Sequence, residues 1–345
     1  MKHTAKFFTL FLMSILTLSG CTAANAAPDA PEADITSTSA ENTTIAETTE
    51  KEAEEMIQNT RAFPDNTYND IPEGYKDNIT EHGTFEEFNY TARNDADEEY
   101  EKRAVVYLPC GYYPDDKETK YNVLYLMHGG GDDEMRYWGS GLEEVLDAMF
   151  EKGDCDPCIV VTPNYRIPGY DETMSAKNFY KELTEYLIPA FESQYNTYAE
   201  NTTPDGIRSS RTHRAYGGFS MGACSAWAVF GNCLDEIAYH MPVSGDCWDV
   251  SGSGEDKAEY LAERVSEMGY TADDFYIYAG CGNTGDVAYP NMVPQLDAMK
   301  ELNDTFIYCD NFVDGNFYYY PYISTGHSIE TVNRTVFNAL PKFFE

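Results

Sequence analysis

Short apolar runs alternate with longer segments of helical period over most of this chain, and that alternation constrains its fold more than any other feature. The runs lie at residues 103–109 (RAVVYLP), 121–128 (YNVLYLMH), 158–163 (CIVVTP), 214–219 (RAYGGF), 237–243, 275–279 (FYIYA) and 316–322 (NFYYYPY). Apolar runs of this length, bounded by turn residues, read as strands buried on both faces. Between them, AKNFYKELTEYLIPAFESQY at 176–195 sets Phe179, Leu183, Tyr186, Leu187 and Phe191 on one side of a helix, which Pro189 is expected to kink or end. Strands alternating with helices predict an α/β fold, with a mainly parallel central sheet and helices on both faces. No internal repeat is visible.

The first sixty residues follow another pattern. Lys2 and Lys6 precede an apolar run from Phe7 to Leu18, too short to span a bilayer as a mature helix, so residues 1–20 are expected to be an export signal. Leu18-Ser19-Gly20-Cys21 resembles the bacterial lipobox, which implies lipidation at Cys21 and a place on the extracellular face of the bacterial cell membrane. A simply cleaved signal is the alternative. Residues 21–60, rich in Ala, Thr, Glu and Pro, lack the apolar surface to fold alone and are expected to form a disordered acidic spacer. The folded domain is expected over 61–345.

Charge narrows the partners. With 23 Lys and Arg against 59 Asp and Glu, the net charge of -36 repels phosphate backbones and anionic membrane surfaces, so nucleic acid is excluded and membrane contact runs through the lipid alone. Beyond Cys21 the cysteines are Cys110, Cys155, Cys158, Cys224, Cys233, Cys247, Cys281 and Cys309. An even number permits disulfides in an exported chain, but the spacing assigns no pairing. Cys155-Asp-Pro-Cys158 has redox or zinc spacing without a second pair or a nearby histidine, so a structural role is expected and no metal.

The chemistry-bearing stretch is AYGGFSMGACSAW at 215–227. Gly218-Phe219-Ser220-Met221-Gly222 falls between a strand and a helix, the setting of a nucleophile elbow. A serine hydroxyl needs a general base oriented by a carboxylate. Of the six histidines, His3 belongs to the signal, His82 to the domain boundary, His213 to the far end of the Ser220 strand and His240 to a strand interior. His327, in STGHSIE after the last strand, is expected to be the base. In this fold the acid lies between nucleophile and base, and Asp286 in GNTGDVAYPNM is favoured over Asp246 in VSGDCW, with Asp310 and Asp314 as outsiders. After the strand at 121–128, His128-Gly129-Gly130-Gly131 provides a glycine loop whose N–H groups could face an oxyanion, with His128 shaping that loop.

Taken together, VYLPCGYYPDDKETKYNVLYLMHGGGDDEMRYW, IVVTPN, GGFSMGACSAW, MPVSGDCW, GNTGDVAYPNM and TGHSIETVNRTVFNALPKFF resemble, in order and approximate spacing, the bacterial feruloyl esterases of carbohydrate esterase family 1. The resemblance covers residues 83–345 and implies an α/β-hydrolase fold, related to that of esterase D and the mycolyltransferases. It implies Ser220 as nucleophile, Asp286 as acid, His327 as base, and an oxyanion hole from Met221 N–H with that of Gly130 or Gly131. Trp138, Asn164, Tyr165 and Trp248 become candidates for contact with the aromatic acid or the sugar, while Trp227 is expected in the core. The chain departs from the family at Ala223, where many members carry glycine, and in a longer acid loop. The implied activity, needing no cofactor, is release of ferulate or a related hydroxycinnamate from plant cell-wall arabinoxylan. Acetyl xylan esterase and acyltransferase activity on the same triad stand as alternatives, and a carbohydrate-binding surface lipoprotein as the non-enzyme alternative.

Overall fold

The computed structural model describes residues 68–309 and 314–344, so the expected export signal, Cys21 and the acidic spacer lie outside the described residues. Strands β1 (Thr84–Arg93), β2 (Glu99–Leu108), β3 (Asn122–Met127), β4 (Cys158–Thr162), β5 (Arg214–Phe219), β6 (Tyr239–Val243), β7 (Tyr276–Gly282) and β8 (Phe317–Ile323) form one sheet in the order β1-β2-β4-β3-β5-β6-β7-β8. Pairing is antiparallel at β1–β2 and β2–β4 and parallel from β4 through β8, which gives the mainly parallel sheet expected.

Each apolar run read as a strand is one, with ends shifted by a few residues at most. β1 is the strand that the sequence reading missed. Its TFEEFNYTAR buries only Phe88, Tyr90 and Ala92, and an edge strand with one partly buried face looks like a loop. β3, β4, β5 and β6 are buried along their whole length because helices cover both sides.

Those helices are α1 (Leu142–Lys152), α2 (Glu172–Glu182), α3 (Ile188–Glu192), α4 (Pro204–Ser209), α5 (Met221–Phe230), α6 (Gly254–Glu267), α7 (Tyr289–Glu301) and α8 (Ile329–Ala339). On one face α1 and α8 pack Leu142, Val145, Leu146, Val332 and Val336 against the sheet. On the other, Phe179 of α2 and Val229 of α5 cover the centre, and Leu261 of α6 with Leu296 of α7 cover β7 and β8. Pro189 does not end its helix. A π-turn at Leu183–Leu187 joins α2 to α3 and places Pro189 in the first turn of α3, so the chain stays helical past the residue that cannot donate.

A buried ion pair ties α3 to the start of β5. Arg214 and Glu192 are each 1% exposed; Arg214 Nη2–H also donates to Ser210 Oγ at 2.7 Å, and Glu192 accepts from Thr197 Oγ1–H at 3.0 Å. Such a pair is tolerated only with its remaining donors and acceptors satisfied, as they are here. It anchors the end of β5 opposite to Ser220.

Candidate active site

Where β5 stops and α5 begins, Ser220 adopts φ 57° and ψ -117°. A non-glycine residue there costs about 1–3 kcal/mol and persists only where its surroundings enforce it. Ser220 N–H donates to Val243 O at 2.9 Å, and Ser220 O accepts from Ala223 N–H at 2.9 Å and Cys224 N–H at 3.2 Å. The flanking glycines are demanded by close approach: a Cβ on Gly218 would enter the carbonyl of Gly222, and one on Gly222 would enter the carbonyl oxygens of Met127 and His128. The result is a hydroxyl held at the C-terminal end of a central strand, in front of the first turn of α5, whose leading N–H groups have no intrahelical acceptor.

His327 comes from the loop after β8 and Asp286 from the loop after β7. His327 Nε2 lies 2.8 Å from Ser220 Oγ, and His327 Nδ1 lies 2.8 Å from Asp286 Oδ1. A carboxylate can only accept, so Nδ1 carries the proton and Nε2 is left to accept from the serine hydroxyl. The Asp286 side chain is fully buried, and its oxygens also accept from Ser244 Oγ–H at 2.6 Å, Ala288 N–H at 2.9 Å and Gly282 N–H at 3.3 Å. Burial alone would raise its pKa; the bonds from His327, Ser244 and Ala288 outweigh burial and hold the carboxyl below its ordinary value. The ring of His327 rests on Phe219 at 4.6 Å.

Asp246, the rival acid, has a different task. It accepts from Lys257 Nζ–H and, at 3.2 Å, from Trp248 Nε1–H, building a cleft wall. Both aspartates follow strand ends, so chain order could not separate them. Ser244, which braces Asp286 from the end of β6, carries no motif and escaped the sequence reading.

The glycine loop meets the elbow closely. A Cβ on Gly129 would lie 3.3 Å from Ser220 Cβ, and one on Gly130 would lie 3.4 Å from Met221 Cε. Gly131, offered by sequence as an oxyanion donor alongside Gly130, sits at the turn of this loop: its φ is 77°, no atom stands within 4 Å of its Cβ position, and Asp132 N–H closes the turn on Gly129 O at 3.4 Å. The Gly129 carbonyl also accepts from His128 Nδ1–H at 2.8 Å and Tyr165 O–H at 3.3 Å. In a planar trans peptide the C=O and the next N–H point in opposite directions, so these bonds turn Gly130 N–H away from His128 and Tyr165. Burial lowers the pKa of His128, which keeps its ring neutral in this bracing role.

Three of the four residues offered for substrate contact are occupied elsewhere. Tyr165 is fully buried and braces the Gly129 peptide. Trp138 stacks on Tyr107 and donates its indole N–H to Thr162 Oγ1 at 2.9 Å. Asn164 donates to Glu134 Oε2 at 2.9 Å. Each follows a strand end or the oxyanion loop in sequence, but the chain turns these side chains into the packing around β2 and β4. Trp248, 38% exposed, lines the cleft, and Trp227 is buried with its N–H on Gly245 O at 2.9 Å.

The cleft holds about 380 Å³, with Ser220 and His327 on one side and Trp248, Val250, Lys257 and Val287 around it. That volume suits a small acyl group. Of the other described histidines, His82 pairs with Asp147 at 2.8 Å, His213 with Asn122 at 2.8 Å, and His240 is buried in β6 with its pKa pushed down to about 3. The cysteines among the described residues are free thiols, and burial raises the pKa of both Cys155 and Cys158. The arrangement can deprotonate a serine for attack on a carbonyl and meet the resulting oxyanion with backbone N–H groups.

No family model matches the chain. It is 40% identical over 279 residues to endo-1,4-beta-xylanase Y of Acetivibrio thermocellus, covering 80% of this chain and 24% of that protein. It is 28% identical over 188 residues to an endo-1,4-beta-xylanase/feruloyl esterase of Xylanibacter ruminicola, covering 52% of this chain and 22% of that one. The chain therefore spans about a quarter of the length of these curated relatives. Among solved structures, a serine-to-alanine mutant of the feruloyl esterase module from Clostridium thermocellum, complexed with sinapinate, aligns with a TM-score of 0.73 at 40% identity, over 81% of this chain and 94% of that one. A CE1 ferulic acid esterase from Anaeromyces mucronatus, 20% identical, shares the fold with a TM-score of 0.59 over 79% and 96% of the two chains.

Proposed function

The chain belongs to the feruloyl esterases of carbohydrate esterase family 1, and on that footing we propose that it hydrolyses hydroxycinnamoyl esters of plant cell-wall xylan through an acyl-enzyme. The observation that carries this reading is the continuous chain from Ser220 Oγ through the His327 ring to the buried Asp286, each step 2.8 Å, opening on one cleft. Ser220 attacks the ester carbonyl as His327 Nε2 takes its proton, and Asp286 stabilises the imidazolium that forms. Met221 N–H and Gly130 N–H receive the oxyanion; one such donor is worth roughly 3 kcal/mol of barrier. His327 then protonates the departing sugar hydroxyl, and a water activated by the same nitrogen releases the acid. Trp248 offers a flat apolar face to an aromatic acyl group.

Chromatography of the acids released from feruloylated, acetylated arabinoxylan tests the assignment. Ferulate is the expected product. Acetate alone would make the protein an acetyl xylan esterase, and neither acid would leave transfer or carbohydrate binding as its function.

The same proposal places the enzyme on the extracellular face of the bacterial cell membrane, tethered through a lipid on Cys21 and held off by the acidic segment 21–60. Its support is the order of Lys2, Lys6, the apolar run and Leu18-Ser19-Gly20-Cys21. In a bacterial host fed an alkyne fatty acid, the full chain should take up label and Cys21→Ala should not. Equal labelling of both proteins would refute the anchor.

A further inference from the structure

His327 hands its proton to the departing sugar oxygen, so the sugar chain must lie on the His327 side of Ser220. The loop bearing His327 leaves the C-terminal end of β8, which is an edge strand. The pairing slips there: Gly280 faces Tyr320 while Gly282 faces Ile323, so β8 carries one extra residue within 321–322. A bulge of this kind re-aims a side chain and recurs next to active sites.

Beside this bulge stands Tyr322, which is 58% exposed between the buried Pro321 and Ile323. Tyr320 backs it edge-on at 6.0 Å, and Tyr320 in turn stacks on Tyr68 at 4.0 Å. Tyr68 donates its hydroxyl proton to Asp70 at 3.0 Å, and Asp70 pairs with Arg334 of α8 at 2.6 Å, so the row of rings is anchored to the body of the protein. The loop after β7 is bonded to the end of β8, Asn283 N–H donating to Ile323 O and Thr284 N–H to Thr325 O, both at 3.0 Å, and at the end of that loop the half-exposed Tyr289 directly follows the cleft residues Val287 and Ala288. The exposed edge of β8 thus meets the loop that lines the cleft, and the row Tyr68, Tyr320 and Tyr322 is in place before any ligand arrives, which limits the ordering cost of binding.

We propose that Tyr322 and Tyr289 form a platform for the polysaccharide, on which pyranose rings of a neutral xylan main chain stack while the esterified side sugar reaches Ser220. The platform rests on the esterase reading above. A net charge of -36 favours an uncharged chain over a polyanionic one.

The test compares kcat/KM on feruloylated arabinoxylan with kcat/KM on methyl ferulate, which has no sugar. The Tyr289→Ala/Tyr322→Ala double variant is expected to lose about tenfold on the polysaccharide, with less than about a twofold change on methyl ferulate. Tyr322→Phe, which keeps the ring, should behave as the wild type on both. An equal loss on both substrates would mean that the rings act through the His327 loop, and no loss on either would remove the platform; both results overturn the proposal. A second readout needs no turnover: unesterified arabinoxylan in a native gel should retard the Ser220→Ala protein and release it when Tyr322→Ala is added. Wild-type protein that cleaves neither ester would refute the esterase reading, and the gel would still decide the platform.

Discussion

Ser220→Ala is expected to lower kcat on methyl ferulate by about a millionfold while leaving the fold in place, since a serine hydrolase that loses its nucleophile keeps only the contribution of the oxyanion hole and binding. The fold should survive because Ser220 is held by its backbone, through bonds to Val243 O and from the N–H groups of Ala223 and Cys224, and an alanine keeps all of these. The checks are steady-state turnover, near-UV circular dichroism and binding of free ferulate. Turnover above a hundredth of the wild-type rate would remove Ser220 as nucleophile. Lost dichroism together with lost activity would instead make Ser220 a structural residue.

Asp286→Asn should lower kcat by about ten-thousandfold with KM little changed, the size of effect seen when a triad carboxylate becomes an amide and traps the wrong histidine tautomer. Asp286 accepts from His327 and Ala288 at one oxygen and from Ser244 and Gly282 at the other, so either orientation of an asparagine sets its NH2 against a donor. One orientation pushes the His327 proton to Nε2, where it faces Ser220; the other breaks the support from β6 and β7. The folded protein holds this carboxyl below its ordinary value of 3.8, so the stability it contributes is present above that pH and is lost as pH falls through the folded value. The stability gap between wild type and Asp286→Asn, followed by urea unfolding, should therefore close on acidification below about pH 4. Asp246→Asn removes a partner of Lys257 and Trp248 and no partner of His327. A ten-thousandfold kcat loss in Asp246→Asn, with Asp286→Asn active, would exchange the two roles.

The two substitutions also mark where the chain could be read directly and where it could not. Ser220 was legible because the elbow leaves a local mark in the sequence: a buried strand, two glycines flanking the serine, and a helix start, although the backbone that crowds Gly222 and the acceptor of Ser220 N–H come from β3 and β6. His327 was legible because the loop after the last strand leaves few other residues able to act as a base. The acid was narrowed to two aspartates and no further, since each follows a strand. The distinction lies in the β6–β7–β8 pairing, which brings His327 to a residue 41 positions earlier in the chain and to a serine 107 positions earlier.

Residue type also misled. Trp138, Asn164 and Tyr165 have side chains suited to a phenolic ligand, but such side chains serve equally well as buried donors. Tyr165 and His128 instead brace one peptide, a task visible only once the direction of the Gly129 carbonyl is known. β1 went unread because an exposed edge strand carries half the apolar signal of a central one.

By itself, then, the sequence determined the alternation of strands and helices, the position of the elbow, of His327 and of the glycine loop, and the pair of aspartates from which the partner of His327 comes. These follow from apolar periodicity and from glycine placement, which act over a few residues. Tertiary structure alone decided that Asp286 meets His327, that Asp246 and Lys257 wall the cleft, that Tyr165 braces the Gly129 peptide, and that Tyr322 stands exposed at the bulged end of an edge strand. Each of these depends on strand register and on which side chains a buried neighbour leaves room for, and such constraints arise only when segments far apart in the chain are packed against one another.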